Sequence, residues 1–348
     1  MEFQKAAVKK ISFVVFLSIG MHWACAQPGP PLTLQRTIQL QGVTGKFDHF
    51  AIDLAANRFF AAATGNHSVE VIDLASGKVA QSITGLGKPH GLAWVPSTQS
   101  LYVADGSLAE LRVYRSAANL RLEPVGTLKL SDDTDDMVYD DTRHLLFVGT
   151  GGNDAANPAR IAVVDTTQFK LVANVSVATH PEALELDAAG ERVFANIAET
   201  NEVAVIGGSN RMAAEWKLTN AGENVPLAYD AEHHTLYVAC RAPATLLALD
   251  SDTGKERSRI ATGGGADDLF YDAALHRVYV IGGAGQVDVV QADPQQALRS
   301  LGVVHTASGA KTALFVPAQA LLYVGVPGVN GQPAEIRIYS TQAVRGDK

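Results

Sequence analysis

A short strand motif of aliphatic, aromatic and small residues is written seven times along this chain, and that recurrence constrains the fold more than any other feature. The copies are Asn57-Arg58-Phe59-Phe60-Ala61, Ser100-Leu101-Tyr102-Val103-Ala104, Leu145-Leu146-Phe147-Val148-Gly149, Arg192-Val193-Phe194-Ala195, Thr235-Leu236-Tyr237-Val238-Ala239, Arg277-Val278-Tyr279-Val280 and Leu321-Leu322-Tyr323-Val324-Gly325. Their aromatic residues (Phe60, Tyr102, Phe147, Phe194, Tyr237, Tyr279 and Tyr323) recur after steps of 42, 45, 47, 43, 42 and 44 residues. A step of this size, filled with short apolar runs and turn residues, marks four strands per repeat arranged as blades around an axis.

The second repeat shows the four strands with least ambiguity. Gly91-Leu92-Ala93-Trp94 is innermost, Leu101 to Ala104 follows, Leu111-Arg112-Val113-Tyr114 alternates apolar and polar, and Val125 to Leu130 lies outermost. The seventh repeat stops at Tyr339-Ser340 with no outer strand after it, while Leu34-Gln35-Arg36-Thr37-Ile38-Gln39-Leu40 precedes the first complete blade. Pairing these leftovers removes a free sheet edge and closes the ring. The expected fold is all-β, a seven-bladed β-propeller whose last blade is completed by the N-terminal strand.

Before the repeats stand Lys5, Lys9 and Lys10, an apolar run from Ile11 to Met21, and Ala24-Cys25-Ala26. This is the layout of a secretory signal peptide cleaved after Ala26, so residues 1–26 are read as a leader and 27–348 as a single propeller domain. The apolar run of about 11 residues is too short to span roughly 30 Å of hydrocarbon, which argues against membrane insertion. Of the 28 basic and 36 acidic residues, three and one respectively lie in the leader, leaving a formal charge of −10. Such a surface is a poor match for nucleic acid, which rewards clustered Lys and Arg. Removal of Cys25 leaves only Cys240, so ring closure and packing rather than an intrachain disulfide must stabilise the exported chain.

The run Phe50-Ala51-Ile52-Asp53 through Ser68-Val69-Glu70-Val71-Ile72-Asp73-Leu74-Ala75-Ser76-Gly77-Lys78-Val79 resembles the YncE-like, or YVTN-repeat, family of exported seven-bladed propellers. The likeness extends over residues 34 to 340. The Tyr-Val-Thr-Asn hallmark is present in altered form as Tyr102-Val103-Ala104-Asp105 and Tyr237-Val238-Ala239-Cys240. The resemblance implies a periplasmic or secreted protein and implies little about chemistry. Within one repeat, Pro89-His90-Gly91-Leu92-Ala93 also resembles the inner-strand start of the streptogramin lyase branch of propellers.

In a propeller the residues that start the innermost strands ring one mouth of the central channel. Aligned by the repeat, these are His49, His90, Asp136, Glu182, Pro226, Asp268 and Thr312, and the residues before them include Asp48, Asp135, Asp267 and Lys311. A ligand-binding funnel is therefore expected from His49, His90, Asp135, Asp136, Glu182, Asp267, Asp268 and Lys311. Two imidazoles with facing carboxylates suit a divalent metal ion, and the expected donors are His49, His90, Asp136, Glu182 and Asp268. Crowded carboxylates beside histidines also suit acid–base chemistry, with Lys311 as an anion clamp. The structural alternative is that these polar groups satisfy loop backbone at strand starts.

Other constellations have plainer readings. Asp53, Asp140, Asp187, Asp230 and Asp272 recur at the opposite hairpin and are expected to cap turns. Ser131 to Asp136 is acidic like a calcium loop but lacks the glycine and distal glutamate of an EF-hand. Gly149 to Asn153 and Gly263 to Gly265 open no helix and read as flexible loops, and residues 151–160 and 327–334 read as insertions suited to a lid or partner contact. Cys240 reads as a small buried hydrophobe. The leading expectation is an exported monomer that binds a small molecule or a protein at the funnel without catalysis. The alternatives are a propeller enzyme, a lyase or lactone hydrolase using a metal or His/carboxylate site there, and a cell-envelope interaction module.

Overall fold

The computed structural model describes Met1, residues 30–187 and residues 189–342. The expected leader, apart from Met1, lies outside them. Among the described residues, seven four-stranded antiparallel sheets follow one another along the chain, and in six of them sequence order runs directly across the sheet. The seventh is composite. Thr33–Leu40 pairs with Ala334–Ser340, followed by Leu321–Val326 and Thr312–Val316, in register from Thr33↔Ser340 to Leu40↔Ala334. The fold is thus a seven-bladed β-propeller closed by its N-terminal strand, as the leftover strands imply.

The packing explains why one aromatic is kept in every repeat. All seven recurring aromatics are at most 2% exposed, and most reach across to the next blade. Phe60 lies 5.4 Å from Trp94, Phe194 5.4 Å from Tyr229, Tyr237 5.3 Å from Tyr271, Tyr279 5.4 Å from Phe315, and Tyr323 stacks 5.0 Å from Phe59 to join the last blade to the first. Such ring pairs add about 0.5–1.5 kcal/mol beyond the area they bury. The buried apolar side chains accordingly fall into seven clusters, each between two neighbouring blades.

The turn-capping reading of the repeated aspartates holds in atomic detail. Asp53 accepts from the amide of Ala56, Asp140 from Thr142 and Arg143, Asp187 from Gly190, Asp230 from Glu232 and His233, and Asp272 from Ala274 and Leu275. Cys240 is fully buried, and burial pushes its thiol up to about 12, which disarms it as a nucleophile. One expectation is corrected. Gly149 to Asn153 is not a loop but part of the strand Leu145–Asp154, which pairs with Asn157–Asp165 as a long hairpin. Backbone pairing continues because Thr150 and Gly152 find partners at Arg160 and Pro158. Residues 327–334 dock on the chain's N-terminal part, with Gly45 bridged to Gly328 and the Ala334 amide donating to Val43.

Candidate functional site

At one mouth of the channel lies a cavity of about 440 Å³ walled by all seven blades. Blade one contributes Asp48 and His49, blade two His90, blade three Asp135 and Asp136, blade four Glu182 and Glu185, blade five Arg241, blade six Asp267 and Asp268, and blade seven Lys311. All eight residues expected at the funnel therefore line it. The backbone helps to aim them. The inner ladder is irregular between Pro89 and Leu92, between Asn224 and Leu227, and between Ala266 and Asp268, and such breaks re-aim side chains. Gly91 also has to be glycine-like, because a Cβ there would collide with the Asp135 carbonyl oxygen. Its absence lets blade two approach the Asp135-Asp136 backbone.

The densest part of the mouth is a knot of imidazoles and carboxylates. His90 Nδ1 stands 2.7 Å from Asp48 Oδ2 and 3.0 Å from Asp135 Oδ1. His49 Nε2 stands 3.7 Å from Asp48 Oδ1 and 3.8 Å from Asp135 Oδ1, while its Nδ1 is 3.5 Å from Asp136. His180 joins from blade four, with Nδ1 2.7 Å from the Gly151 carbonyl and Nε2 3.5 Å from Asp135 Oδ2. Asp133, in the same acidic loop as Asp135, turns toward Lys88 at 3.4 Å, and Thr134 is buried and donates to Ser131. That loop thus serves to deliver Asp135 and Asp136 to the funnel.

Electrostatics inside the knot run against burial. Burial alone would lower the His49 imidazole, yet Asp136, Asp48, Asp268 and Asp135 outweigh it and raise it to about 10. His90 and His180 likewise resist burial and rise to about 9, His90 through Asp135 and Asp48, His180 chiefly through Asp135. Burial raises the Asp135 carboxyl, but His180, His90 and His49 reverse this and hold it well below the usual range. Asp48 is also lowered, His90 and His49 overcoming the effect of burial and of Asp135. For four other carboxyl groups of the cavity burial wins. It lifts Asp268 to about 7, aided by Asp267, and Glu185 to about 8, aided by Asp136; Asp136 and Glu182 are raised as well.

Several predicted funnel residues double as latches between blades. Asp136 accepts from the Leu184 amide at 2.8 Å and Asp268 from the Ala313 amide at 2.6 Å, each across to the following blade. Thr312, a ring position by alignment, is buried and donates to Phe47. For these three the backbone-satisfying reading is part of the answer. It also corrects the expected metal ligands. His49, His90, Asp136, Glu182 and Asp268 do not form one donor set. Among the described residues the group with donor atoms all within 4.8 Å of one another is Asp48, His49 and Asp135.

On another part of the wall Asp267 is bracketed by two cations. Lys311 Nζ stands 2.5 Å from its Oδ2, and Arg241 Nη2 bonds its Oδ1 while Arg241 Nε donates to the Ala266 carbonyl. Lys311 and Arg241 thus place two cationic groups on this part of the wall beside Asp267, with Arg241 also within electrostatic reach of Glu182. The sequence pointed to Lys311 and Asp267 but not to Arg241. Nor did it point to His180 or Glu185, and it placed Asp48 beside the ring without marking it as a ligand. His180-Pro181 immediately precedes a ring position, as Asp48 does, so the repeat alignment held a signal for both. Glu185 sits within an inner strand where alternation with Leu184 and Leu186 reads as a solvated face.

Fold and site together define a seven-bladed β-propeller with a polar, histidine- and carboxylate-lined funnel. Among solved structures the chain is similar to a chain of hydrazine synthase from Kuenenia stuttgartiensis, at 15% identity and a TM-score of 0.73, over 85% of this chain and 96% of that one. A likeness at this identity shows the shared propeller fold alone. No protein-family model and no curated protein matches the chain. Among the described residues no helix is long and apolar enough to cross a membrane.

Proposed function

We propose that this protein is an exported propeller, of the YncE-like kind, that binds a small polar molecule carrying an anionic group at the funnel, without a catalytic step. The observation that carries this reading is the cavity of about 440 Å³ to which every blade contributes side chains. That volume lies within the range of small-molecule sites, roughly 300–1,000 Å³, while the lining is far more polar than the apolar pockets such sites usually offer. The ligand is accordingly polar. Lys311 and Arg241, sharing the single carboxylate of Asp267, supply the attraction for its anionic group. Export rests on the charged, apolar and small-residue order of residues 1–26, and a periplasmic or secreted location follows from it.

A propeller enzyme is the second reading, and one observation favours it. Asp268, lifted to about 7 by burial and Asp267, is poised to exchange a proton near neutral pH. The binding reading is tested by isothermal titration with acetate, succinate, citrate, sulfate and phosphate as probes. At least one is expected to bind saturably, with Lys311→Ala and Arg241→Ala each weakening it about 10-fold or more, the usual loss for a charged hydrogen bond. Absence of saturable binding by all five, or binding indifferent to both substitutions, contradicts the reading.

A further inference from the structure

We infer that Asp48, His49 and Asp135 hold a divalent transition-metal ion of the zinc type at the funnel mouth, with His90 pressed against both carboxylates from behind. Geometry is the first support. An ion bound at about 2.0–2.2 Å to each ligand sets neighbouring donor atoms about 3.0–3.6 Å apart, depending on coordination number. His49 Nε2 lies 3.7 Å from Asp48 Oδ1 and 3.8 Å from Asp135 Oδ1, and all three donor atoms lie within 4.8 Å of one another, so a modest contraction brings them to metal-ligand spacing.

The second support is the buried imidazole beside the two carboxylates. His90 is only 4% exposed, its Nδ1 is aimed at Asp48 and Asp135 within 3.0 Å, and yet neither ring nitrogen makes an aligned hydrogen bond; the same is true of Asp135 Oδ1. Buried polar atoms are rarely left in this condition, because each unmade bond is costly. Asp135 Oδ1, a proposed ligand atom, thus keeps bonding capacity that a cation would satisfy, while His90 Nδ1, only 2.7 Å from Asp48 Oδ2, is too close to be a fellow ligand and holds the carboxylates as an outer partner.

The donor types narrow the ion. One imidazole and two carboxylates match zinc, manganese or iron(II) better than calcium or magnesium, which take oxygen alone. Two ionised aspartates also balance the double charge. Three protein ligands leave coordination positions open, and because the three residues line the cavity those positions face its interior. His90 acts as a positioning residue that fixes the two carboxylates, as outer partners of metal ligands commonly do.

The inference does not rest on the anionic-ligand reading, and the probe is the metal alone. Chelator-treated full-length mature protein is titrated with Zn²⁺ by calorimetry and with Co²⁺ by visible absorption. One ion per chain is expected, with ligand-field bands of bound Co²⁺. His49→Ala and Asp135→Asn are expected to abolish binding, and His90→Ala to weaken it 10- to 100-fold while leaving the stoichiometry at one. Glu182→Gln, in the same cavity but outside the group, is expected to bind like wild type. All three ligands are partly exposed and His49 the most, at 24% against 15% for Asp48 and 18% for Asp135, so its variant keeps the test alive if another substitution prevents folding, as judged by circular dichroism. Absence of stoichiometric binding overturns the inference. So does binding that survives His49→Ala or that is lost on Glu182→Gln.

Discussion

Removal of Thr33–Leu40 is expected to lower the melting temperature by about 10 °C or more and to promote self-association. The strand supplies the whole outer ladder of the seventh blade, in register with Ala334–Ser340. Its Ile38 and Leu40 are 2% and 0% exposed in the cluster that joins the seventh blade to the first. Burial of two such side chains is worth about 3–6 kcal/mol before the ladder hydrogen bonds are counted. A kilocalorie moves the midpoint of a domain this large by about 2 °C. Deletion also bares the edge of Ala334–Ser340, an open template for pairing with another chain. Scanning calorimetry with size-exclusion chromatography reads both effects, and a synthetic peptide of residues 31–41 added in trans is expected to restore part of the loss. An unchanged midpoint would mean that the ring does not depend on this closure.

Arg58→Ala is the second large effect, with an expected loss of about 3–5 kcal/mol, the usual result of removing one partner of a buried ion pair. Arg58 is 2% exposed. It reaches Asp53 Oδ2 through Nη2 at 2.7 Å and Nε at 3.2 Å, donates to Ser116 Oγ at 2.5 Å and to the Leu120 carbonyl at 3.2 Å, and its guanidinium lies over Phe60 and Trp94. One side chain thus ties the turn of the first blade to the outer part of the second. Alanine strands the Asp53 carboxylate, which is itself 2% exposed, and leaves a void beside two aromatic rings. The double variant Asp53→Asn, Arg58→Met removes both charges and retains volume, and urea unfolding is expected to show it clearly more stable than Arg58→Ala. If Arg58→Ala costs under 1 kcal/mol, the pair is not the inter-blade tie described here.

The architecture was legible because it is written redundantly. Phe60 and its six counterparts occupy the same place in each blade, and repetition at a fixed step exposes a position that no single copy would. The capping aspartates were legible for the same reason: Asp53 and Asp187 bond local amides and a nearby arginine, so their roles are complete within a few residues of sequence. The funnel was legible only as a list of residues at one mouth. Which of them touch depends on distances between blades and on the breaks in the inner ladders near His90 and Asp268, which sequence spacing does not encode. Asp136 and Asp268 were therefore expected as ligands but serve neighbouring amides, whereas Asp48, one residue from an expected ligand, faces both His49 and His90. Arg241 lies outside the aligned ring positions, in the strand Thr235–Ala242, and its reach to Asp267 of the next blade is not written in sequence spacing.

The account turns on residues from four blades meeting at one opening, and their imidazoles report on this directly. Nitrogen-15 NMR of histidine-labelled, metal-free protein follows both ring nitrogens of His49, His90 and His180 through a pH titration, with single variants for assignment. A raised pKa means that the proton is retained as pH climbs past the ordinary value of 6.5, so all three are expected doubly protonated at pH 8, losing the proton only near pH 9 for His90 and His180 and near pH 10 for His49. Titration of all three near 6.5, as for imidazoles in open water, would contradict the convergence of these side chains on Asp48, Asp135 and Asp136.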